Sequence, residues 1–546
     1  MTAPNIPSQA GTAPTNLAAL DSWLLGDGQY VFVLKMVVTD LASGTVTLYA
    51  ATDTYRGAAA APRLIMPESL RVSVLNTGFG LPSEGASAVD KSDAPAIDWD
   101  MFRAGQMAYG GFQLRNNDGQ IDSWGDGSTY GWGDAECSLL FGAITDAVGS
   151  LETMLTFKVR NEPEWAFDAE GNSVLQFSVK SGAVNPNGRI RTDVFAGTGG
   201  NEGGDDLEGR STGVLLGRYD NIEPAMLADG NLGYMIDPDK CDALDAVYQR
   251  GFSVGTAGTD WTDNVATDGS FDLVRIPNFG PVTCDAKGFT GAGRTGATSD
   301  WSLSANFTIL ATDFGGTTAT TAGLSEVGGV WLPPGADARF ETELHKSILP
   351  LGFYWVAQDG TQLYAGELGS PEDGSSAQTY TEKHIASIER VASPPPVWQV
   401  RVGWRPLGVT IDGIETGGPV TEAEIARLKV ASRYAVATDS SVQDDYPQAI
   451  AVTIHSSLFV EANADTLAAE LLAILKVRRD VYRARVVRHP LAVWIGQIAT
   501  LDLSNVGSGL SVYGLDTAKK VLCTGWDIRF AEQDPNASTF VLECWG

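Results

Sequence analysis

The reading of the fold turns on Gln29-Tyr30-Val31-Phe32-Val33-Leu34-Lys35-Met36-Val37-Val38-Thr39, then Asp40, then Leu41-Ala42-Ser43-Gly44, then Thr45-Val46-Thr47-Leu48-Tyr49-Ala50. Two runs rich in β-branched and aromatic residues flank a short segment that ends in glycine, which is the pattern of a β-hairpin. Tyr30 to Val38 is also the best apolar run in the chain. It is too short to cross a bilayer and is broken by Lys35, so it reads as a strand.

The same texture extends outward. Leu70–Leu75, Gly111–Arg115, Ser138–Ile144, Leu155–Val159 and Val174–Val179 read as further short strands, with Asn116-Asn117-Asp118-Gly119 as a turn between two of them. Past residue 300, Phe307–Thr312, Gly352–Val356 and Gln362–Ala365 read as strands, the last two joined by Gln358-Asp359-Gly360. Pro394-Pro395-Pro396 is a rigid boundary before a strand at Val397–Trp404. Residues 197–213 form a Gly- and acid-rich loop that fits neither strand nor helix periodicity.

Two segments read as helix. Thr421-Glu422-Ala423-Glu424 is a capping box, with Ile425, Leu428 and Val436 behind it on one face. The second runs from about Ala464 to Arg479, with Leu467, Leu471, Ile474 and Leu475 on one stripe and Arg478 and Arg479 at its C-terminal dipole. The fold class is α+β and β-dominated: several small β-barrel or β-sandwich domains, with a few helices in the C-terminal part. No βαβ rhythm supports a doubly wound enzyme fold. The divisions are a flexible arm at 1–20, a first β domain at 21–150, a second domain at 151–300, an inserted β-rich domain at 301–396 and a C-terminal α+β domain at 397–546.

Composition narrows the function classes. The 546 residues carry 67 acidic and 37 basic side chains, a net charge of −30. A chain of that length buries substantial cores. Its charge opposes wrapping of nucleic acid, where affinity comes from neutralised phosphates, and favours resistance to non-specific association. The 62 Gly and 25 Pro suit many short strands joined by turns. Five widely spaced cysteines (Cys137, Cys241, Cys284, Cys523, Cys544) include no CxxC pair and read as buried apolar residues, with neither disulfide nor metal framework. The first basic residue is Lys35, so a charged signal-peptide n-region is lacking and synthesis in a cytoplasm is expected.

Several short motifs invite chemistry. Gly251-Phe252-Ser253-Val254-Gly255 matches G-x-S-x-G, but the following Thr256-Ala257-Gly258-Thr259-Asp260 is loop where a nucleophile elbow needs a helix. Gly291-Ala292-Gly293-Arg294-Thr295-Gly296 matches G-x-G-x-x-G without a helix opening behind it, since Trp301 to Thr312 reads as strand. Asn116 to Asp122 resembles a calcium loop, yet alignment on Gly119 puts Leu114 at the first ligand position. Acid clusters such as Asp205-Asp206 leave oxygen-ligand chemistry open elsewhere. His345, His384, His455 and His489 are scattered, with His345 or His384 as conceivable bases. Asp98 and Asp100 flank Trp99 on one strand face, the most glycosidase-like pair, although a solvated acidic face is the ordinary reading. Lys476, Arg478, Arg479, Arg483, Arg485 and Arg488 form a basic cluster, read either as a helix end plus a polar strand face or as a docking patch for an acidic neighbouring subunit. No catalytic, cofactor-binding or metal-ligating residue is assigned, and no cofactor is expected.

Longer strings carry more information. Asp193-Val194-Phe195-Ala196-Gly197-Thr198-Gly199-Gly200-Asn201-Glu202-Gly203-Gly204-Asp205-Asp206-Leu207-Glu208-Gly209-Arg210 resembles the GTGG-x-EG…L-x-GR stretch of tail hub proteins of siphophages and gene transfer agents. Leu216-Gly217-Arg218-Tyr219-Asp220-Asn221-Ile222-Glu223-Pro224, Asn231-Leu232-Gly233-Tyr234, Ala246-Val247-Tyr248-Gln249-Arg250-Gly251 and Gly280-Pro281-Val282-Thr283-Cys284-Asp285-Ala286-Lys287-Gly288 follow in the family's order. Gly110 to Asp122 looks like the N-x-D-G-x-x-D turn of the same proteins. Pro396-Val397-Trp398-Gln399-Val400-Arg401-Val402-Gly403-Trp404 and Phe540-Val541-Leu542-Glu543-Cys544-Trp545-Gly546 resemble their late strands. The resemblance runs from about residue 30 to the C-terminus and is weakest over 300–390.

That resemblance implies a non-enzymatic virion structural protein: a baseplate hub or tail tip joining the tail tube to the central fibre. It implies a homotrimeric ring, with the distal tail protein, central fibre and tape measure as partners, no membrane span and no specific nucleic-acid binding. The virion tail tip or baseplate would be its location, after synthesis in the host bacterial cytoplasm. An acid-lined lumen in such a ring would repel DNA during ejection. Two alternatives stand beside it: a receptor- or glycan-binding tail module using Trp124 and Trp132 in the stretch Ser123–Gly133, and a cell-wall or polysaccharide hydrolase using Asp98 and Asp100.

Overall fold

A computed structural model of the chain describes residues 30–52, 55, 63–66, 69–75, 97–98, 101–108, 111–167, 171–181, 188–227, 232–274, 281–288, 301–340, 342–344, 352–356, 362–411, 421–489, 491–506, 514–529 and 539–546. The arm at 1–20, the G-x-G-x-x-G segment 291–296 and the turn 358–360 lie outside them. The chain is the β-dominated α+β protein expected from its sequence, with its described strands in several small sheets and few helices.

The hairpin forms between Tyr30–Asp40 and Gly44–Ala51, in register from Val33 opposite Ala51 to Asp40 opposite Gly44. Its turn closes locally: the Asp40 carboxylate accepts hydrogen bonds from the amides of Ala42 (2.8 Å) and Ser43 (3.1 Å). Tyr130–Ala143, longer than Ser138–Ile144, pairs with the first hairpin strand, and Glu152–Val159 pairs beyond it. A second sheet of Leu64–Ile65, Phe112–Arg115, Ser173–Phe177 and Glu164–Phe167 faces this one. Phe112 stacks on Phe157 at 4.8 Å between the two sheets, so this region is a β-sandwich.

The middle region is built on Val214–Ile222. That strand is flanked by Val282–Gly288 and Gly329–Leu332, with Cys241–Gln249 and Phe252–Ser253 further out. Alternation splits its side chains between two cores. Val214 and Leu216 join the large core that runs through most of the molecule, while Leu215 and Ile222 join a separate core with Ile236, Val247, Trp261 and Phe271.

In the C-terminal region the long strand Lys519–Arg529 pairs with Thr539–Trp545, and Val481–Val486 and Ile385–Ala392 continue the sheet. Ser69–Leu75 pairs with Lys519–Arg529 and with Phe102–Ala108, so strands from the N-terminal segment complete this sheet. A smaller mixed sheet contains Val397–Trp404, Arg433–Thr438, Ile450–His455 and Ile97–Asp98. The helix Glu461–Leu475 packs on it through Leu467, Leu471, Ile474 and Leu475, the stripe read from sequence.

Three elements differ from the sequence reading. Phe307–Thr312 is helical: Leu303–Ile309 is an α-helix continued by a π-turn at Leu310–Phe314. Ser302 caps it by accepting from the Ala305 amide at 3.1 Å. Phe307, Ile309, Leu310 and Ala311 are all buried, and a short, nearly continuous apolar run has no period that separates a buried helix from a strand. The capping-box helix is correctly placed but stops at Leu428, so Val436 sits exposed on the strand Arg433–Thr438. The long helix ends at Leu475, short of Arg479. The Arg479 guanidinium folds back to donate to the Ile474 carbonyl, satisfying an acceptor that the helix leaves open.

Candidate functional site

The resemblance-bearing strings around Asp220 and Asp285 meet in space, and a β-bulge explains how. Val214–Ile222 pairs with Val282–Gly288 at Tyr219 opposite Ala286 and again at Ile222 opposite Cys284, with a register shift between. Asp220 and Asn221 occupy the bulge, and Asn221 takes a left-handed backbone conformation (φ 50°). The Asn221 amide donates to Asp285 Oδ1 at 2.8 Å, while its side-chain amide donates to the Val409 carbonyl at 2.6 Å.

Asp220 is fully buried, and one of its carboxylate oxygens accepts from two arginines brought by the C-terminal region. Arg405 donates through Nε and Arg427 through Nη2, the latter at 3.2 Å. Arg427 also lies 3.9 Å from Asp285 Oδ2, which accepts the Tyr248 hydroxyl at 2.9 Å. Asp220 Oδ1 has no hydrogen-bond partner. Burial raises the pKa of Asp285 and the neighbouring Asp220 charge raises it further, opposed by the Asn221 amide, Arg427 and Tyr248. Burial and Asp285 likewise push the Tyr248 phenol upward. Around this centre Arg218 and Arg405 each approach the Phe459 ring, at 4.7 and 4.9 Å, and Arg218 pairs with Asp245 at 3.0 Å. Two carboxylates held by two guanidiniums form an ion network whose chemistry is attachment between segments.

The other sequence candidates do not assemble into one site. Ser253 lies on Phe252–Ser253 opposite Tyr248, and its hydroxyl accepts from the Gly255 amide at 3.3 Å, so no nucleophile elbow forms. In the Asn116–Asp122 turn the cation is a guanidinium. Arg63 donates to Asp118 through both Nη1 (2.7 Å) and Nη2 (2.5 Å), holding that carboxyl at about 2, while Asn116 bonds to Asp122 and to the Ile121 amide. Trp132 is a core residue rather than a sugar platform: its Nε1 donates to the Trp124 carbonyl at 2.6 Å and its ring meets Phe177 edge-on. Trp124 is half-buried against the same core. Asp98 pairs through its strand with Thr453, while its side chain, Trp99, Asp100 and His345 lie outside the described residues. His384 and His489 are in ring contact at 5.1 Å, and His384 Nδ1 accepts the Thr381 amide at 3.1 Å. His455 meets Tyr434.

The basic cluster divides. Lys476 pairs with Asp439 (3.0 Å), Arg478 donates to Ser393 (2.7 Å), Arg479 to Glu372 (2.8 Å) and Arg483 to Glu543 (2.9 Å). Burial opposes ionisation of Glu372, but hydrogen bonds from Arg479 and Ser370 outweigh it and hold its carboxyl at about 2. Arg485 and Arg488 are exposed and make no ion pair among the described residues. All five cysteines are buried and none forms a disulfide, and burial pushes the Cys137 and Cys523 thiols up to about 12. Among the described residues no group of three or more His, Cys, Asp or Glu side chains is placed to hold a metal ion, and no helix is long and apolar enough to cross a membrane.

The residues of the ion network were not singled out from sequence. Their signal was an acid set beside apolar residues inside a strand run, twice over: Tyr219-Asp220-Asn221-Ile222 and Cys284-Asp285-Ala286.

No protein-family model and no curated protein matches the chain. Among solved structures it is similar to the 43 kDa tail protein of prophage MuSo2 from Shewanella oneidensis, with 8% identity and a TM-score of 0.39 over 94% of this chain and 95% of that one. It is also similar to a tail protein from Neisseria meningitidis MC58, with 8% identity and a TM-score of 0.38 over 94% and 96%. Prophage tail protein gp18 from Listeria monocytogenes EGD-e gives 7% identity and a TM-score of 0.34 over 93% and 94%.

Proposed function

We propose that this chain is a non-enzymatic structural protein of a phage-type tail, acting as the hub that joins the tail tube to the central fibre in the baseplate. The observation that carries this reading is the convergence of its family-like strings. Asp220 and Asp285 come from two of the strings that resemble tail hubs, and Arg405 directly follows a third, Pro396–Trp404. Residues far apart in sequence therefore build one joint between regions, which suits a part of an assembly. Other tail proteins are its partners, and a threefold ring is its working form. The solution mass of the purified protein, followed by imaging alone and with a distal tail protein, tests the reading. A trimer, or threefold rings formed with the tail partner, supports it. A monomer that forms no ring in either case, and hydrolyses or binds a glycan by itself, overturns it.

One observation favours the glycan- or receptor-binding alternative in a new place. Trp165 and Phe167 lie on the same face of the edge strand Glu164–Phe167, and Phe167 is 78% exposed. Loss of a glycan-array signal in the Trp165→Ala/Phe167→Ala variant would support that role, whereas no signal from the parent protein counts against it.

A further inference from the structure

Val397–Trp404 and Arg433–Thr438 are antiparallel neighbours whose register closes at Trp404 opposite Arg433. The chain between them does not turn tightly. It leaves the C-terminal sheet and lies on the middle region: the Gly408 amide donates to the Asp220 carbonyl (2.9 Å) and the Val409 amide to the Asn221 carbonyl (3.0 Å). The approach is close, since a Cβ on Gly408 would stand 2.7 Å from the Ile222 Cα. On the return path the helix Glu422–Leu428 brings Arg427 to Asp220 and folds Ile425 and Leu428 onto Ile411, next to Leu407 and Phe252. The Ile411 amide donates to the Leu428 carbonyl at 2.8 Å, tying the outward and return arms together.

We infer that residues 405–411 and the helix Glu422–Leu428 form a detachable latch between the C-terminal sheet and the middle region, with Asp220, Asp285, Arg405 and Arg427 as its catch. The geometry gives three reasons. The base of the excursion is fixed by sheet pairing at Trp404 and Arg433, so release needs no strand to leave its sheet. The apolar contact holding the latch is a small cluster, separate from both main cores, so polar contacts dominate its attachment. Both arginine side chains stay partly open to water, 25% for Arg405 and 19% for Arg427, against a fully buried acceptor, so water borders the catch on the latch side, and salt, which screens the charges once they part, favours the open state. Among the described residues, Tyr248 faces Asp285 from the neighbouring strand, Arg218, paired with Asp245, shares the Phe459 ring with Arg405, and Glu424 on the latch helix interacts with the Arg427 charge. The inference stands independently of the tail reading.

Hydrogen exchange followed by mass spectrometry on the full chain tests it. In the parent protein, peptides covering 405–411 and 421–428 are expected to exchange at least tenfold faster than the helix Glu461–Leu475 and the strand Val214–Ile222. That difference should widen severalfold between 0.1 M and 1 M salt. Arg427→Met should raise exchange in the latch peptides tenfold or more, leaving Glu461–Leu475 within twofold. The inference is overturned if the latch peptides exchange only with the global rate, or if Arg427→Met accelerates every peptide alike. Should Arg427→Met fail to fold, the parent's salt response decides: latch exchange that salt leaves unchanged overturns the inference.

Discussion

Two buried carboxylate sites in this molecule use the same ingredients for different ends. Glu543, 3% exposed, accepts from Arg71 Nη2 at 2.8 and 3.1 Å, from Arg483 Nε at 2.9 Å and from the Ser73 hydroxyl at 2.9 Å. All four residues sit on strands of one sheet, in the order Ser69–Leu75, Lys519–Arg529, Thr539–Trp545, Val481–Val486. Asp220 also receives two arginines, but these arrive from a segment that belongs to another sheet, and its Oδ1 has no partner. The Glu543 site therefore fails only when its sheet fails, whereas the Asp220 site can open while both flanking sheets persist. A buried ion cluster is a rivet or a catch according to whether its members share a cooperative unit.

The largest expected effect is at the rivet. Glu543→Ala leaves Arg71 and Arg483 without their acceptor in the middle of the sheet, and should cost about 3–4 kcal/mol of global stability. Urea unfolding should show this as a lower midpoint for the whole cooperative transition that includes the C-terminal sheet. Asp220→Asn should cost about 2–3 kcal/mol at its own site, yet appear mainly as accelerated exchange or proteolysis over 405–428. Equal global losses for the two variants would erase the distinction between them.

Legibility in the sequence followed the same division. The hairpin at Tyr30–Ala51, the terminal strand Thr539–Trp545 and the capping box at Thr421–Glu424 are set by neighbours in sequence: alternation, a turn acid at Asp40, and a reciprocal cap. The helix Leu303–Ile309 was hidden because it is buried on most sides and its polar stripe is narrow, carried by the short side chains Ser304 and Thr308. Ser302 before it, as its cap, was the other local sign. Trp132 reads as a ring in a Gly-rich stretch, and only the facing sheet that carries Phe177 makes it core. The basic cluster after Leu475 was visible as composition, but its meaning lay in partners as distant as Glu372 and Glu543, which no local pattern links to it. The catch was illegible for the same reason: Asp220 and Arg427 meet only once the middle and C-terminal regions have packed.

Smaller effects sharpen the comparison through pH. Asp285 has a raised folded-state pKa, because burial and Asp220 disfavour its charge. Such a group contributes stability at pH below the ordinary carboxylate range, and loses that contribution as pH rises through its folded value. Asp285→Asn, neutral at every pH, should therefore cost less than Asp220→Asn, about 1 kcal/mol or below, and should flatten the pH dependence of latch exchange. A steeper pH dependence, or a loss matching that of Asp220→Asn, would show that both carboxylates of the catch must be ionised.

The smallest effect lies away from both sites and serves as their control. Glu367, at the end of the strand Gln362–Glu367, has its pKa raised to about 7 by burial first, and then by the charges of Glu326 and Glu470. The folded protein holds a proton there that the unfolded chain releases. Its stabilising contribution is complete below the ordinary value of 4.5 and is lost as pH rises through about 7. Glu367→Gln should therefore raise thermal stability at pH 8.5, by about 1 kcal/mol once solvent screening of this half-buried group is allowed for. At pH 4 the gain should largely vanish, because the parent glutamate is then mostly protonated in both the folded and the unfolded chain. Latch exchange should not respond at either pH, since Glu326, Glu367 and Glu470 make no contact with the catch among the described interactions. A gain equal at both pH values would mean that the substitution acts by packing rather than by charge. A response of the latch peptides would mean that the two regions are coupled, so that the catch does not open alone.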